Sequence, residues 1–372
     1  GEAVALFKTN YLEEGQNGLS GVEYPFVYLA PSNTGIDSGF DLDNDGEATG
    51  RGNDAFGFGL FPGQFGMVLF SKYPILEDQV RTFQNFLWKD MPDNLIPADW
   101  YSADELEVFR LSSKSHWDVP VQLNGKVIHI LASHPTPPVF DGAEDRNGTR
   151  NHDEIRLWAD YVDPAKSSYL YDDLGVTGGL AAGESFVILG DQNADPNDGD
   201  STNDAIDQLL GSTFVNASFT PNSAGGAENN DGGNTQTGDP AEDTASFNLR
   251  ADYALPSNAG LRVSGSGVFW PLSTDVRAKT VSAASDHRLV YVDLSCKVNS
   301  AFALQILHSS DNESSFQDPN TLEPKVLNYA SVTQCLEEVA AQEGIPSIHV
   351  TAGDHTLPGP FYQAAAEADS KP

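Results

Sequence analysis

Residues 186–196 read Phe-Val-Ile-Leu-Gly-Asp-Gln-Asn-Ala-Asp-Pro, and this stretch constrains the fold more than any other. Four consecutive apolar residues, 186–189, closed by Gly190, predict a buried strand. Asp191 and Asn193 stand two apart at its end, so both side chains reach one point in space if the backbone stays extended. A carboxylate placed there can hold a metal or take a proton from water. An amide beside it can donate to a phosphate oxygen and accept from that water. The same residues also make an ordinary Asp-Gln-Asn turn after a core strand, and the stretch alone does not decide between the two.

Three further polar groups lie beside predicted strands in the same manner. Residues 127–133 form a strand that delivers His134. Residues 252–255 form one that begins with Asp252, and Ser285-Asp286-His287 directly precede a strand over 288–294. Other strands are expected over 24–30 and 66–71, and helices over 2–11, 103–108, 153–162 and 203–210. Ile155, Trp158 and Val162 mark the apolar face of the third helix. Lys114, His116 and Trp117 form a dense polar-aromatic group before Val119-Pro120, and Asp145, Arg146, Arg150, Asn151 and His152 crowd the approach to the 153–162 helix. Alternating strands and helices with polar residues at strand ends predict a layered α/β or α+β sandwich.

With 372 residues the chain is long enough for one large core, or for one large domain and part of a second. Acidic residues number 54 against 20 basic, a formal charge of −34 spread without blocks. Such a surface is that of a secreted or salt-adapted protein and disfavours non-specific clamping of nucleic acid. It does not exclude phosphodiester chemistry, because a bound divalent ion reverses the local sign. Two cysteines, Cys296 and Cys335, are too few for a disulfide scaffold. No apolar run approaches 18 residues, no signal peptide is present, and the chain is expected to begin inside a domain. Asp41, Asp43 and Asp45 have the spacing of half a calcium loop, but Gly52 stands where a bidentate Glu is wanted. A looser calcium site and an acidic surface loop both stay open. Residues 221–242, rich in Gly, Asn, Asp and Thr, read as a mobile loop.

In their order and spacing, Ala132-Ser-His134, Gly190-Asp-Gln-Asn-Ala194, Arg250-Ala-Asp-Tyr253 and Ser285-Asp-His287 resemble the endonuclease/exonuclease/phosphatase family of metal-dependent phosphoesterases. The loops around 113–117 and 135–138 resemble a secreted bacterial branch. The resemblance implies a four-layered α/β sandwich over residues 1–295, with a divalent ion, most often magnesium, with manganese or calcium as alternatives. It implies that Asp286 ligates the metal and that His287, held by Asp252, stabilises the transition state. Asp191 would orient or deprotonate water, Asn193 would position it, and His134 would contact a phosphate oxygen. Lys114, His116, Arg146 and Arg150 are the candidate substrate-binding residues.

The family's remaining metal ligands, an Asn and a Glu on the first two strands, would lie upstream of the opening helix and are not in this sequence. The metal site is therefore expected to be half built and the chain to be a poor catalyst. After a linker at 296–301, residues 302–372 resemble the start of a calcineurin-like metallophosphoesterase of the 5′-nucleotidase kind. Its strands are expected over 302–308 and 345–351, with a helix over 326–341. Asp311 and Asp354 match metal positions there, while Glu313 stands where His is expected. The expected function is phosphoester hydrolysis by a monomer outside the cytoplasm, extracellular or periplasmic. The substrate is a nucleic acid, a phospholipid headgroup or a small phosphoester. The alternative is a phosphate- or metal-binding module that keeps the fold without the chemistry.

Overall fold

The computed structural model describes residues 1–16, 18–229, 235–296, 303–310, 325–342, 345 and 347–351. Its strands are β1 (Phe26–Tyr28), β2 (Val68–Ser71), β3 (Arg81–Thr82), β4 (His116–Leu123), β5 (Lys126–Ser133), β6 (Phe186–Asp191), β7 (Asp252–Pro256), β8 (Leu261–Phe269), β9 (Leu289–Cys296), β10 (Ala303–Ser309) and β11 (Ser347–Thr351). Its helices are α1 (Glu2–Phe7), α2 (Ala103–Leu106), α3 (Arg146–Tyr161), α4 (Asp207–Leu210), α5 (Ala224–Glu228), α6 (Ala278–Ala284) and α7 (Lys325–Gln342).

The strands form two sheets, one ordered β1-β2-β11-β10-β9-β8 and the other β3-β4-β5-β6-β7. Alternation along β6 explains how they stack. Val187 and Leu189 face an inter-sheet core with Trp117, Ile130, Val290, Val292 and Ile306. Phe186 and Ile188 face the other way, onto Ile155, Leu157 and Trp158 of α3. On the far face of the first sheet, Leu289 of β9 and Leu307 of β10 pack on Val281 of α6 and on Val332 and Leu336 of α7. The layers are thus helix, sheet, sheet, helix, and the α/β sandwich expected from sequence is present.

The segment expected as a separate unit lies differently. β10 pairs antiparallel with β9, β11 pairs antiparallel with β2, and the two pair in parallel with each other. They supply the middle of the first sheet, where β2 and β9 would otherwise present unpaired edges. Helix α7 is tied to the rest by Glu337, which accepts from Tyr24, Lys72 and Ser347, and by Gln334, whose Nε2 donates to the carbonyls of Leu12 (3.2 Å) and Glu14 (2.9 Å). Asp311, Glu313 and Asp354 lie outside the described residues, as does most of the 296–301 linker.

Several local expectations change. Strand β4 was hidden by Pro120, which sits opposite His129 of β5. Its carbonyl accepts from Leu76 N on the other side (2.9 Å), so its missing N–H interrupts only a loop contact, not a ladder. Helix α3 begins seven residues before the expected 153, because its first two turns are polar, only partly buried, and carry no apolar stripe. Within 221–242, Ser223 caps α5 by accepting from Gly226 N, and a Cβ on Gly225 would lie 2.3 Å from Trp270 Cδ1. That part is packed against Trp270, and residues 230–234 lie outside the described residues.

The placement of β10 generates a test. Ile306→Ala removes a fully buried side chain from the inter-sheet core and should cost about 2–5 kcal/mol. Denaturant unfolding followed by Trp fluorescence, with Trp117 in the same core, should show the whole transition moved to lower denaturant. An unmoved transition would detach β10 from this sheet.

Candidate active site

The site lies where the second sheet's strand ends meet the first sheet. Helix α3 positions its loops. Glu154, buried, accepts from Ser113 N (2.6 Å), Ser113 Oγ (3.0 Å) and Thr136 N (2.6 Å). It so fixes the turns before β4 and after β5. One turn earlier, Asn151 donates to the carbonyls of Thr136 (2.8 Å) and Gln192 (2.9 Å), which joins the turn after β5 to the turn after β6. Gly190 is required at the crossing, since at φ 146° a Cβ there would sit 1.8 Å from the Ser133 carbonyl oxygen.

Asp191 leaves β6 with its Oδ1 accepting from Asn193 N (2.7 Å) and its Oδ2 3.6 Å from His134 Nε2. Asn193 adopts φ 51° and its Nδ2 donates to the Pro135 carbonyl (3.1 Å). His287 Nδ1 lies 2.8 Å from Asp252 Oδ2, the geometry of a carboxylate holding an imidazole ring. The edge of His287 meets Phe247, with centroids 5.2 Å apart. Ligand atoms of Asp191, Asp252 and His287 all fall within 4.8 Å of one another, and all three residues are buried.

Asp252 is the most heavily bonded group of the set. Besides His287, its Oδ2 accepts from Thr244 Oγ1 (2.7 Å), while its Oδ1 meets His308 Nε2 (3.0 Å) and accepts from Ser310 Oγ (2.6 Å). Burial acts to raise its pKa, but the charge and hydrogen bond of His287, with His308, outweigh it and hold the carboxyl well below the usual range. Thr244, His308 and Ser310 carried no sequence signal of a role. Thr244 belongs to a polar loop, and the other two to a segment read as another unit.

Asp286, expected as a metal ligand, is exposed and is not part of the cluster. Its carbonyl accepts from Ser246 N (2.8 Å). Three of the four expected substrate contacts are engaged elsewhere. His116 is buried between Ser112 Oγ (2.6 Å) and the Glu154 carbonyl (2.9 Å), and burial lowers its pKa to about 3, so it stays neutral. Arg150 is buried, its guanidinium donating to the carbonyls of Leu111, Phe56 and Arg110 above the Phe109 ring. Arg146 pairs with Glu144 and lies over Trp100. Lys114 remains. It is 6 % exposed and stands just beyond the paired end of β4, across from the turn that carries His134.

Two carboxylates and an imidazole are donors that a divalent ion of magnesium type accepts, though such ions keep several waters. The four bonds on Asp252 use its lone pairs, so it is fitted to hold His287. Asp191 is the carboxylate suited to an ion. A second acidic group, Asp41, Asp43 and Asp54, also brings its oxygens within 4.8 Å. These carboxylates already accept from backbone N–H groups of Asp45, Gly46, Leu42 and Thr49. Asp45 is not one of the three.

The model of the endonuclease/exonuclease/phosphatase family matches residues 13–287, more than half of the chain. Among solved structures, an endonuclease/exonuclease/phosphatase protein from Beutenbergia cavernae is 13 % identical over 75 % of this chain and 65 % of its own, with TM-score 0.39. Sphingomyelinase C from Streptomyces griseocarneus is 15 % identical over 54 % and 59 %, with TM-score 0.30. A Staphylococcus aureus beta toxin variant with bound magnesium ions is 14 % identical over 54 % and 59 %, with TM-score 0.30. The chain spans about three fifths of the length of these proteins. No curated protein matches it. The calcineurin-like resemblance of the last segment is not found in these comparisons. The chain belongs to the endonuclease/exonuclease/phosphatase family.

Proposed function

We propose that this chain is the phosphoester-hydrolysing part of a metal-dependent enzyme acting outside the cytoplasm. The observation that carries the reading is the meeting of Asp191, Asp252 and His287 within 4.8 Å, from strand ends 61 and 35 residues apart in sequence. In the reaction, Asp191 accepts the proton of the attacking water and Asn193 fixes that water's position. Asp252 keeps the His287 ring oriented, so that its opposite edge meets the charge developing on the phosphoryl group. His134 contacts a non-bridging oxygen. Lys114 supplies a positive charge beside it. A divalent ion, most suitably magnesium, would be held from the Asp191 side with waters completing its shell, and would polarise the phosphoryl oxygen.

The acidic surface favours small phosphoesters or lipid headgroups over long nucleic acid, because each phosphate brought to it meets net repulsion. Among the described residues no helix is long and apolar enough to cross a membrane. The exposed position of Asp286 favours a second reading, a phosphate-binding module without turnover. Assays on bis(p-nitrophenyl) phosphate, DNA and a choline phospholipid separate the two. Turnover abolished by chelator and restored by magnesium is expected. Binding without turnover would leave the module.

Asp252→Asn should keep the fold and lower kcat roughly 10²-fold or more. A variant with unchanged turnover would remove Asp252 from the chemistry. The same group sets an acid limit. Its pKa is depressed from 3.8, so the stability it contributes is complete above that value and drains as pH falls below it. The stability gap between the wild type and Asp252→Asn should therefore narrow below about pH 4, read by unfolding at stepped pH. Lys114→Ala should raise KM several-fold and leave kcat nearly unchanged, since it acts on the bound phosphate as a positioning charge. Steady-state kinetics check this, and an unaltered KM would place Lys114 outside the substrate site.

A further inference from the structure

Away from the catalytic cluster, the turn after β6 and the segment leading into β7 bring three buried carboxylates together. Asp195 and Asp198 are each 8 % exposed and Asp243 is 2 % exposed. Two of them are well satisfied by the backbone. Asp195 accepts from the N–H groups of Asn197 (2.7 Å), Asp198 (2.9 Å) and Arg250 (2.6 Å). Asp198 accepts from those of Thr237 (2.7 Å) and Gly238 (2.8 Å). Asp243 is not. Its Oδ1 has only a long 3.5 Å contact with Gln236 Nε2, and its Oδ2 is buried with no hydrogen-bond partner. Gln236 Oε1 is likewise buried and unpartnered. Among the described residues none of the three carboxylates forms an ion pair.

The Gln236 amide stands between the two outer acids, with its Nε2 3.3 Å from Asp198 Oδ2 and 3.5 Å from Asp243 Oδ1. Both carboxylates therefore face the Gln236 amide. An amide's oxygen and nitrogen are interchangeable by a flip, and turning Oε1 inward would set it where Nε2 stands, 3.3 Å from Asp198 Oδ2 and 3.5 Å from Asp243 Oδ1, as a third oxygen donor beside theirs. A buried acceptor without a donor is costly, and here there are two, Asp243 Oδ2 and Gln236 Oε1. Burial is the main cause that pushes Asp243 up to about 7; the Gln236 hydrogen bond works against it, and the charges of Asp195, Asp198 and Asp239 add to the rise. A positive charge is the group that satisfies all of these at once.

We propose that Asp198, Asp243 and Gln236 form a second cation site, for a calcium-type ion with oxygen ligands and waters completing its shell. Two carboxylates and an amide place it with weaker calcium modules, of about 10⁻⁴–10⁻³ M affinity. The site is independent of the phosphoesterase reading. It bears on the catalytic end through the chain, because Asp243 precedes Thr244, which donates to Asp252 (2.7 Å). An ion here would brace that turn.

The test uses the whole chain and Asp243→Asn, each carrying Asp191→Asn so that ions at the catalytic cluster do not contribute, with calcium as the probe. A raised carboxylate destabilises the fold progressively from its ordinary pKa up to its folded one, and fully above it. In chelator at about pH 8, Asp243→Asn should therefore melt higher than its parent. Millimolar calcium should raise the parent by at least about 2 °C and the variant by less than half as much. Gln236→Glu adds a charged ligand and should lower the calcium midpoint of terbium-displacement luminescence several-fold. Equal calcium responses in parent and Asp243→Asn overturn the proposal. So does a Gln236→Glu midpoint that does not move, which also decides the matter if Asp243→Asn fails to fold.

Discussion

One buried carboxylate joins the two sheets at the end where the chemistry would occur. Asp252 opens β7 in the second sheet, while two of its partners come from the first: His308 lies on β10 and His287 just precedes β9. A bare charge in that position would be prohibitive, and the fold carries it only because four donors surround it. The arrangement couples sheet packing to chemistry. If the sheets slid by a residue, Asp252 would lose its partners and His287 its orientation together.

Much of this was legible in the chain, and the limits have physical causes. The strands that bear Asp191, Asp252 and His134 announce themselves through apolar runs, and their ends carry the reactive side chains by simple polymer geometry. Asp286 and His287 show the limit of that reasoning. Neighbours in an extended segment point to opposite faces, so only one of the pair can enter the site, and the sequence does not say which. His287 is buried and Asp286 is exposed. The basic residues failed for another reason. A cation near a site in sequence can be spent inside the fold, as Arg150 is on three carbonyls. The further partners of Asp252 were illegible because a threonine in a polar loop and a histidine near the end of a distant strand become neighbours only through tertiary packing.

The polar interior of α3 carries a related lesson. Arg150, Asn151, Asp153 and Glu154 are all buried on one helix, and their side chains bond to groups outside the strands. Loops expose unpaired amides and carbonyls that a core cannot absorb. A helix that presents donors and acceptors at fixed spacing serves them as secondary structure would. This explains how a chain so rich in loops holds its strand-end turns in register.

The order of the first sheet has a consequence for how the chain reaches its native state. β2 and β9 are bridged only by β10 and β11, so a ladder begun near residue 68 is closed by residues near 350. Contacts of such sequence separation form slowly, because a long loop must be closed before they return any energy. During vectorial synthesis the second sheet, drawn from residues 81–256, has all its strands long before the first. The emerging protein would wait with β2 and β9 as open edges, and that interval is when strand addition by another copy competes with the chain's own C-terminal strands.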